Sequence, residues 1–203
     1  MAKAKETCAV IEDTRETIRM TFIGTRPLLM HSERLADPTD EMAVALKKVS
    51  GIRKKTDDHY AQMMRIEFLG GIYYDPEVGV HVPDLVILAT LREGAKLRRL
   101  GTIAERSLDI AETMIPLIYD GPRTPEKLLE KKEFRDRRTV CVNTSRVTRT
   151  RPRFNEWSLS FDLIYDPEQL DRETVVTIAQ DAGLKIGMGD FRPRFGRFSV
   201  EAE

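Results

Sequence analysis

The chain has 203 residues, which suffice for one sizeable hydrophobic core, and its Lys plus Arg balance its Asp plus Glu at 33 each. The net charge of zero argues against a histone-like or polybasic protein, although it does not say where the charges lie. The sequence has neither a membrane-length apolar run nor a secretory signal, and two cysteines cannot form a disulfide scaffold. We therefore expect a cytoplasmic protein with no membrane partner.

The predicted elements begin with a strand over residues 17–24, where apolar and polar residues alternate at the period of a half-buried sheet. Residues 38–68 show apolar residues at helical spacing on two stretches, which predicts a helical insertion of two helices. Between these helices, a loop at Ser50 and Gly51 would expose a basic run, namely Lys47, Lys48, Arg53, Lys54 and Lys55.

The middle of the chain predicts a hairpin over residues 72–82, a helix from Asp84 to about Arg99, and a strand over 115–119. Basic residues crowd the C-terminal half of this helix, where cations also suit the helix dipole. Two of them are candidates for nucleic-acid binding, Arg92 and Lys96.

The remaining elements are a helix over residues 125–134, a strand over 139–143, a strand over 157–165, a helix capped by Asp171, and a last strand over 195–200. The strand over 157–165 has the most regular alternation in the chain, with large apolar residues on one side and mostly polar residues on the other. One of its faces should therefore belong to the core.

The strongest of these elements follow the order strand, helix, strand, strand, helix, strand, with the insertion after the first strand. This is the βαββαβ order of the ferredoxin-like (RRM-like) fold, an α+β architecture with a four-stranded antiparallel sheet in a single domain over residues 1–203. RNA-recognition modules have this fold, but many unrelated functions share it, so the order alone assigns none.

Arginines concentrate in residues 135–153, which contain seven of them and Asp136 as the only acid. Arginine suits forked contacts with phosphate and stacking on bases. Alternate residues of an extended chain project on one side, so the last three arginines of this stretch would share a face. The candidates for phosphate binding here are Arg146, Arg149, Arg151 and Arg153.

A second basic segment, residues 191–198, interleaves three phenylalanines with three arginines. Phenylalanine offers a flat face for a base and arginine neutralises the backbone, which adds Arg192, Arg194, Phe195 and Arg197 as candidates. A core position is the alternative for Phe195 and Phe198. Basic and acidic surfaces on one neutral chain also suit head-to-tail assembly of copies.

Catalytic chemistry has little support in the sequence. No two of the three histidines share a metal-type spacing, and the nearest thing to an acid–base or metal cluster is His31 with Glu33 and Asp37, for which a solvated loop is the alternative. Cys141 lies in an apolar strand, which predicts a buried thiol. We expect no enzyme activity, no metal and no cofactor.

Two segments resemble the RAMP superfamily of CRISPR-associated proteins. In residues 81–95 a strand ends at Pro83 and runs into a helix, and residues 187–198 look like that family's glycine-rich loop and last strand. The strand over 17–24 with the following residues 26–30 is similar to its first strand and loop. The chain departs from the family pattern at Asp84, where the family has glycine, and at Ala89, which replaces the glycine inside the helix.

The resemblance implies a ferredoxin-like palm, an inserted helical subdomain at residues 38–68, and an arginine-rich hairpin or thumb at 135–154. Such subunits polymerise along a guide RNA and grip its backbone without reading its sequence. No histidine lies where the family's processing nucleases carry theirs, which favours the non-catalytic backbone type, in a compact relative carried by a phage or plasmid. Some members cut target RNA with a loop aspartate, for which Asp37 is the candidate.

We therefore expect a single-stranded RNA-binding subunit that self-assembles. Three alternatives stay open: a single-stranded DNA binding or annealing protein of a mobile element, a metal-dependent ribonuclease using His31 and Asp37, and a structural oligomer whose arginines serve protein contacts.

Overall fold

The computed structural model describes residues 13–142 and 145–203, which form an α+β architecture of antiparallel sheets and helices. The strands are β1 Glu16–Gly24, β2 Leu28–Leu29, β3 Tyr74–Asp75, β4 Gly79–Pro83, β5 Leu108–Ile110, β6 Met114–Pro116, β7 Arg135–Val142, β8 Ser145–Phe154, β9 Ser158–Tyr165 and β10 Phe198–Ala202. The helices are α1 Glu41–Ser50, α2 Asp57–Gly71, α3 Asp84–Lys96, α4 Gly101–Ser107, α5 Pro125–Glu130 and α6 Arg172–Asp181.

The largest sheet has four antiparallel strands in the order β10-β1-β9-β5. In β1 and β9 every second side chain is buried, as the alternation in the sequence predicts, so one face of the sheet belongs to the core. The buried residues of α3 and α6 join the same core. The two helices approach closely at Gly94, where a Cβ atom would lie 2.8 Å from the carbonyl oxygen of Ile178 in α6.

The strand predicted at residues 115–119 does not belong to this sheet. The fourth strand is β5, which comes after the extra helix α4, while β6 pairs with β4 in a small sheet of order β3-β4-β6. Three residues are too few to show an alternation, so β5 leaves no pattern in the sequence although Leu108 and Ile110 are buried. The predicted helix from Asp84 ends at Lys96 rather than near Arg99.

β7 and β8 form a long antiparallel hairpin, and the short β2 pairs with the other edge of β8. Within the range predicted as an insertion, α1 and α2 form and share a small hydrophobic cluster built on Val49, Met63 and Ile66. α2 packs against β8. The hairpin therefore contacts α2 of the insertion and pairs with β2 along the other edge of β8.

No helix among residues 13–142 and 145–203 combines the length and the apolar character needed to cross a membrane.

Candidate nucleic-acid interface

A basic groove runs between the insertion and the hairpin. Its volume is about 700 Å³, and α1 and α2 form one wall while β7 and β8 form the other. The insertion contributes Lys47 and Lys55, and the hairpin contributes Arg137, Arg146 and Arg149. In the described part of its lining Glu67 is the one carboxylate, so the groove has an excess of positive charge.

Glu67 lies at the bottom of this groove and is 4 % exposed. Its carboxylate accepts hydrogen bonds from Arg149 Nη1 at 2.7 Å and from the backbone N–H of Thr150 at 2.8 Å. A buried charge needs such a partner, so this pair anchors β8 on α2 and neutralises Arg149. The cations of the groove without a carboxylate partner among the described residues are Lys47, Lys55, Arg137 and Arg146.

The hairpin is also fastened to the segment that precedes β10. Arg151 forms an ion pair with Asp190 and lies 4.6 Å from the centre of the Phe191 ring. Arg138 lies 4.6 Å from the Phe195 ring. These are cation–π distances, so two of the residues that the sequence offers to a nucleic acid, Arg151 and Phe195, contact other side chains of the protein.

The glycine-rich segment at residues 187–196 is docked on β2 through its backbone. Gly189 has a φ of +76°, and a Cβ atom on it would lie 2.4 Å from the carbonyl oxygen of Leu29. The N–H of Asp190 donates to the same carbonyl at 2.9 Å, and the N–H of Gly196 donates to Pro27 O at 2.8 Å. Glycine is required because only it combines this φ with so close a backbone approach.

Two smaller clefts continue the groove. The first, of about 300 Å³, shares Glu67 and Arg149 with the groove and reaches His31. The second, of about 320 Å³, begins at His31 and ends against the glycine-rich segment at Asp190 and Arg192. The groove and the two clefts are therefore neighbours, and His31 lines both of the smaller clefts.

The surroundings shift the pKa of two residues in these clefts. Partial desolvation lowers the pKa of His31; Asp190 opposes this change, while Arg151 and Arg149 add to it. Desolvation, together with nearby Glu33, raises the pKa of Tyr73 to about 12. Both shifts favour the uncharged form of the ring.

The other predicted binding residues fall into two groups. Arg92 and Lys96 form ion pairs with acids on or beside α3, at Glu105 and Glu93, and lie away from the groove. The remaining side chains are exposed or partly exposed without a carboxylate partner in the described residues, namely Lys48, Arg53, Lys54, Arg153, Arg194 and Arg197. Phe198 is in the core, which was the alternative to base stacking that the sequence left open. Phe195 is half-buried beneath Arg138.

The two weak catalytic candidates, His31 and Asp37, have separate roles in the structure. The Asp37 carboxylate accepts from the backbone N–H of Thr39 at 2.8 Å and from its hydroxyl at 2.7 Å, contacts that lower the pKa of Asp37. It therefore stabilises a turn, whereas His31 lies in the cleft. Within residues 13–142 and 145–203 no three His, Cys, Asp or Glu side chains are grouped to hold a metal ion.

The prediction of a buried thiol at Cys141 is wrong, because this residue is exposed. On the same side of β7, Arg137 and Thr139 are polar and also exposed, which the apolar residues next to Cys141 in the sequence did not reveal. Glu67 and Asp190 were missed as site residues. Each fixes an arginine more than 35 positions away in sequence, so no local pattern connects the partners.

No protein-family model matches the chain, and no curated protein sequence matches it.

Proposed function

We propose that this chain is a non-catalytic single-stranded RNA-binding subunit that self-assembles along RNA and holds the phosphate backbone without reading its sequence. The observation that carries the proposal is the basic groove. Two lysines of the insertion face two arginines of the hairpin, and the one carboxylate in the described lining is already paired with Arg149. Such an excess of cations in a groove is the electrostatic feature that tracks a phosphodiester backbone.

The topology supports a ferredoxin-like palm for this subunit. β1, α3, β5, β9, α6 and β10 follow the order strand, helix, strand, strand, helix, strand, and each pair of neighbouring strands in their sheet is antiparallel. This order, with α3 starting directly after Pro83, supports membership of the RAMP superfamily. α1 and α2 would be the inserted subdomain of that family, and β7 and β8 its thumb.

The distribution of charge supports self-assembly. Because the whole chain is neutral while the groove is basic, the excess acid must lie elsewhere, and Glu112, Glu168 and Glu201 are among the exposed carboxylates. Acids of one copy could then meet cations of the next in a head-to-tail arrangement, which forms filaments when the rotation does not close.

The test is to remove two groove cations, Arg137→Ala with Arg146→Ala, and to measure binding to single-stranded RNA as a function of salt. With about five phosphate contacts, log K should fall with log salt at a slope near −3.5, because each contact adds about −0.7. The double variant should bind all RNA sequences more weakly to an equal extent, with a slope about 1.4 shallower. Arg149 and Arg151 suit this test less well because they are held in ion pairs.

The matched control is Arg106→Ala with Arg172→Ala, which removes two exposed arginines that do not line the groove. It should leave both affinity and slope unchanged. Equal weakening by the two double variants would contradict the groove assignment. Competition with DNA of the same sequence tests the ligand, since the 2′-hydroxyl distinguishes the two, and a preference for DNA would favour the DNA-annealing alternative.

A further inference from the structure

The cleft beyond His31 differs in chemistry from the basic groove. Its volume is about 320 Å³, and its walls are mainly apolar, with Val86 and Ala89 from α3 on one side and Leu28 and Met188 on the other. Polar groups lie at its ends, namely His31, Tyr73, Asp190 and Arg192. Small-ligand sites typically have this composition, in which apolar walls supply affinity and a few polar groups fix orientation.

We propose that this cleft receives a single nucleobase of the bound RNA. The inference rests on the proposed function and adds a base-binding site to a groove that otherwise contacts only phosphate. A nucleobase has two apolar faces and a polar edge, which matches the apolar walls and the polar ends of the cleft. The space is at the small end for ligand sites, so it suits one planar group rather than an extended ligand.

Continuity with the basic groove is the second argument. His31 lines both the apolar cleft and the neighbouring cleft, and the neighbouring cleft shares Glu67 and Arg149 with the groove. A strand whose phosphates lie in the groove can therefore turn one base past His31 without leaving the protein surface. The exposed imidazole of His31 offers this base a flat face.

The walls of the cleft are preformed. The glycine-rich segment is fixed on β2 by the hydrogen bond from Asp190 N–H to Leu29 O, and Asp190 itself is held by Arg151. At the mouth, Leu85 on the first turn of α3 is 71 % exposed, the largest exposure among the large apolar side chains that the structure describes. A base entering the cleft would cover it. Stacking tolerates every base, so such a site agrees with binding that does not read sequence.

The experiment compares a short oligoadenylate with a fully abasic strand of the same length, so that sliding along the RNA cannot hide the effect. The wild type should bind the intact strand about tenfold more tightly, because burying one base by stacking contributes about 1–3 kcal/mol. Ala89→Phe fills the cleft and should bring the ratio of the two affinities close to one, with binding of the abasic strand unchanged. The matched control, Ala61→Phe, places the same side chain on an exposed position of α2 and should keep the wild-type ratio.

A second pair of variants covers the case that Ala89→Phe does not fold. Leu85→Ala removes the leucine at the mouth and should lower the ratio several-fold, whereas Leu184→Ala removes an equally exposed leucine outside the cleft and should not. If both strands bind and neither cleft variant changes the ratio, the base site is refuted while the proposed function stands. If the wild type binds neither strand, the proposed function itself fails. Reduced self-association of Ala89→Phe without RNA, at an unchanged ratio, would overturn the base site in favour of a contact between copies.

Discussion

The arginines of the hairpin divide by what they contact. Arg149 and Arg151 reach carboxylates on two distant elements and hold the hairpin in place, while Arg137 and Arg146 lie in the groove with no carboxylate partner in the described residues. The first pair gives the groove its shape and the second pair gives it its charge. Substitutions of the two pairs should therefore have different consequences, on folding stability in one case and on binding in the other.

Glu67→Gln should destabilise the fold, because it removes a buried charge that accepts hydrogen bonds from the Arg149 guanidinium and the Thr150 backbone N–H. We expect a loss of about 2–3 kcal/mol in the free energy of unfolding, measured in urea. Asp162→Asn is the control, since its ion pair with Arg19 is exposed on both sides and should contribute at most about 1 kcal/mol. Equal losses of unfolding free energy in the two variants would show that burial does not increase the contribution of the Glu67 pair to stability.

At the residue scale, the sequence indicated which arginines and phenylalanines belong to the candidate site, but it did not predict what each of them contacts. The run of arginines and the interleaved phenylalanines were recognisable, and alternation correctly placed Arg149 and Arg151 on one face of β8. Their partners were not predictable, because Glu67 and Asp190 are ordinary acids in the sequence and become important only when the chain brings them to the hairpin.

Among the elements, α3 and α6 are linked at their C-terminal ends by a charged cluster. Asp181 closes α6 and accepts hydrogen bonds from Arg98 Nε and Lys185 Nζ, both at 2.7 Å. After Asp181 the chain continues in a wider helical turn over Ala182–Ile186. Lys185 lies in this turn, which explains how it reaches Asp181.

The stability that this cluster contributes should depend on pH. Lys185 and Arg98 lower the pKa of Asp181 below its ordinary value of 3.8, so the folded state resists protonation there more than the unfolded state does. The contribution is therefore present above about pH 4 and is lost as the pH falls through the lowered pKa. We expect Asp181→Asn to destabilise the protein more at about pH 7 than at about pH 2.5, measured by urea unfolding. If Asp181→Asn destabilised the protein more at the acidic pH than at the neutral pH, the prediction would be contradicted.

The elements were predictable where they are long and regular. β1, β9, α3 and α6 all follow from apolar periodicity, whereas β5 is three residues long and its place in the sheet is decided by pairing with β9. Short strands of this kind depend on the partner that the fold provides, and a single sequence contains no signal for the pairing.

For the whole molecule, the proposal predicts that RNA length controls the size of the complex. A strand of about 15 nucleotides should bind one or two copies, while one of about 60 should bind several, with the salt sensitivity of phosphate contacts. Sedimentation velocity at fixed protein concentration measures this directly. One copy per strand at every length would contradict self-assembly, and large assemblies that form equally well without nucleic acid would favour a structural oligomer.

The position of β1 in its sheet has a consequence for how the protein folds during synthesis. Hydrogen bonds from β1 reach β9 across sequence separations of 139 and 149 residues, and one contact with β10 spans 176. The pairing of β7 with β8 and the contact between α1 and α2 are local and can form early, but the apolar side of β1 packs with β9 and β10, which are translated last. Among the described strands, the first in the chain is thus among the last to be paired, and its buried residues Ile18, Met20 and Phe22 are where a nascent chain would depend most on chaperones.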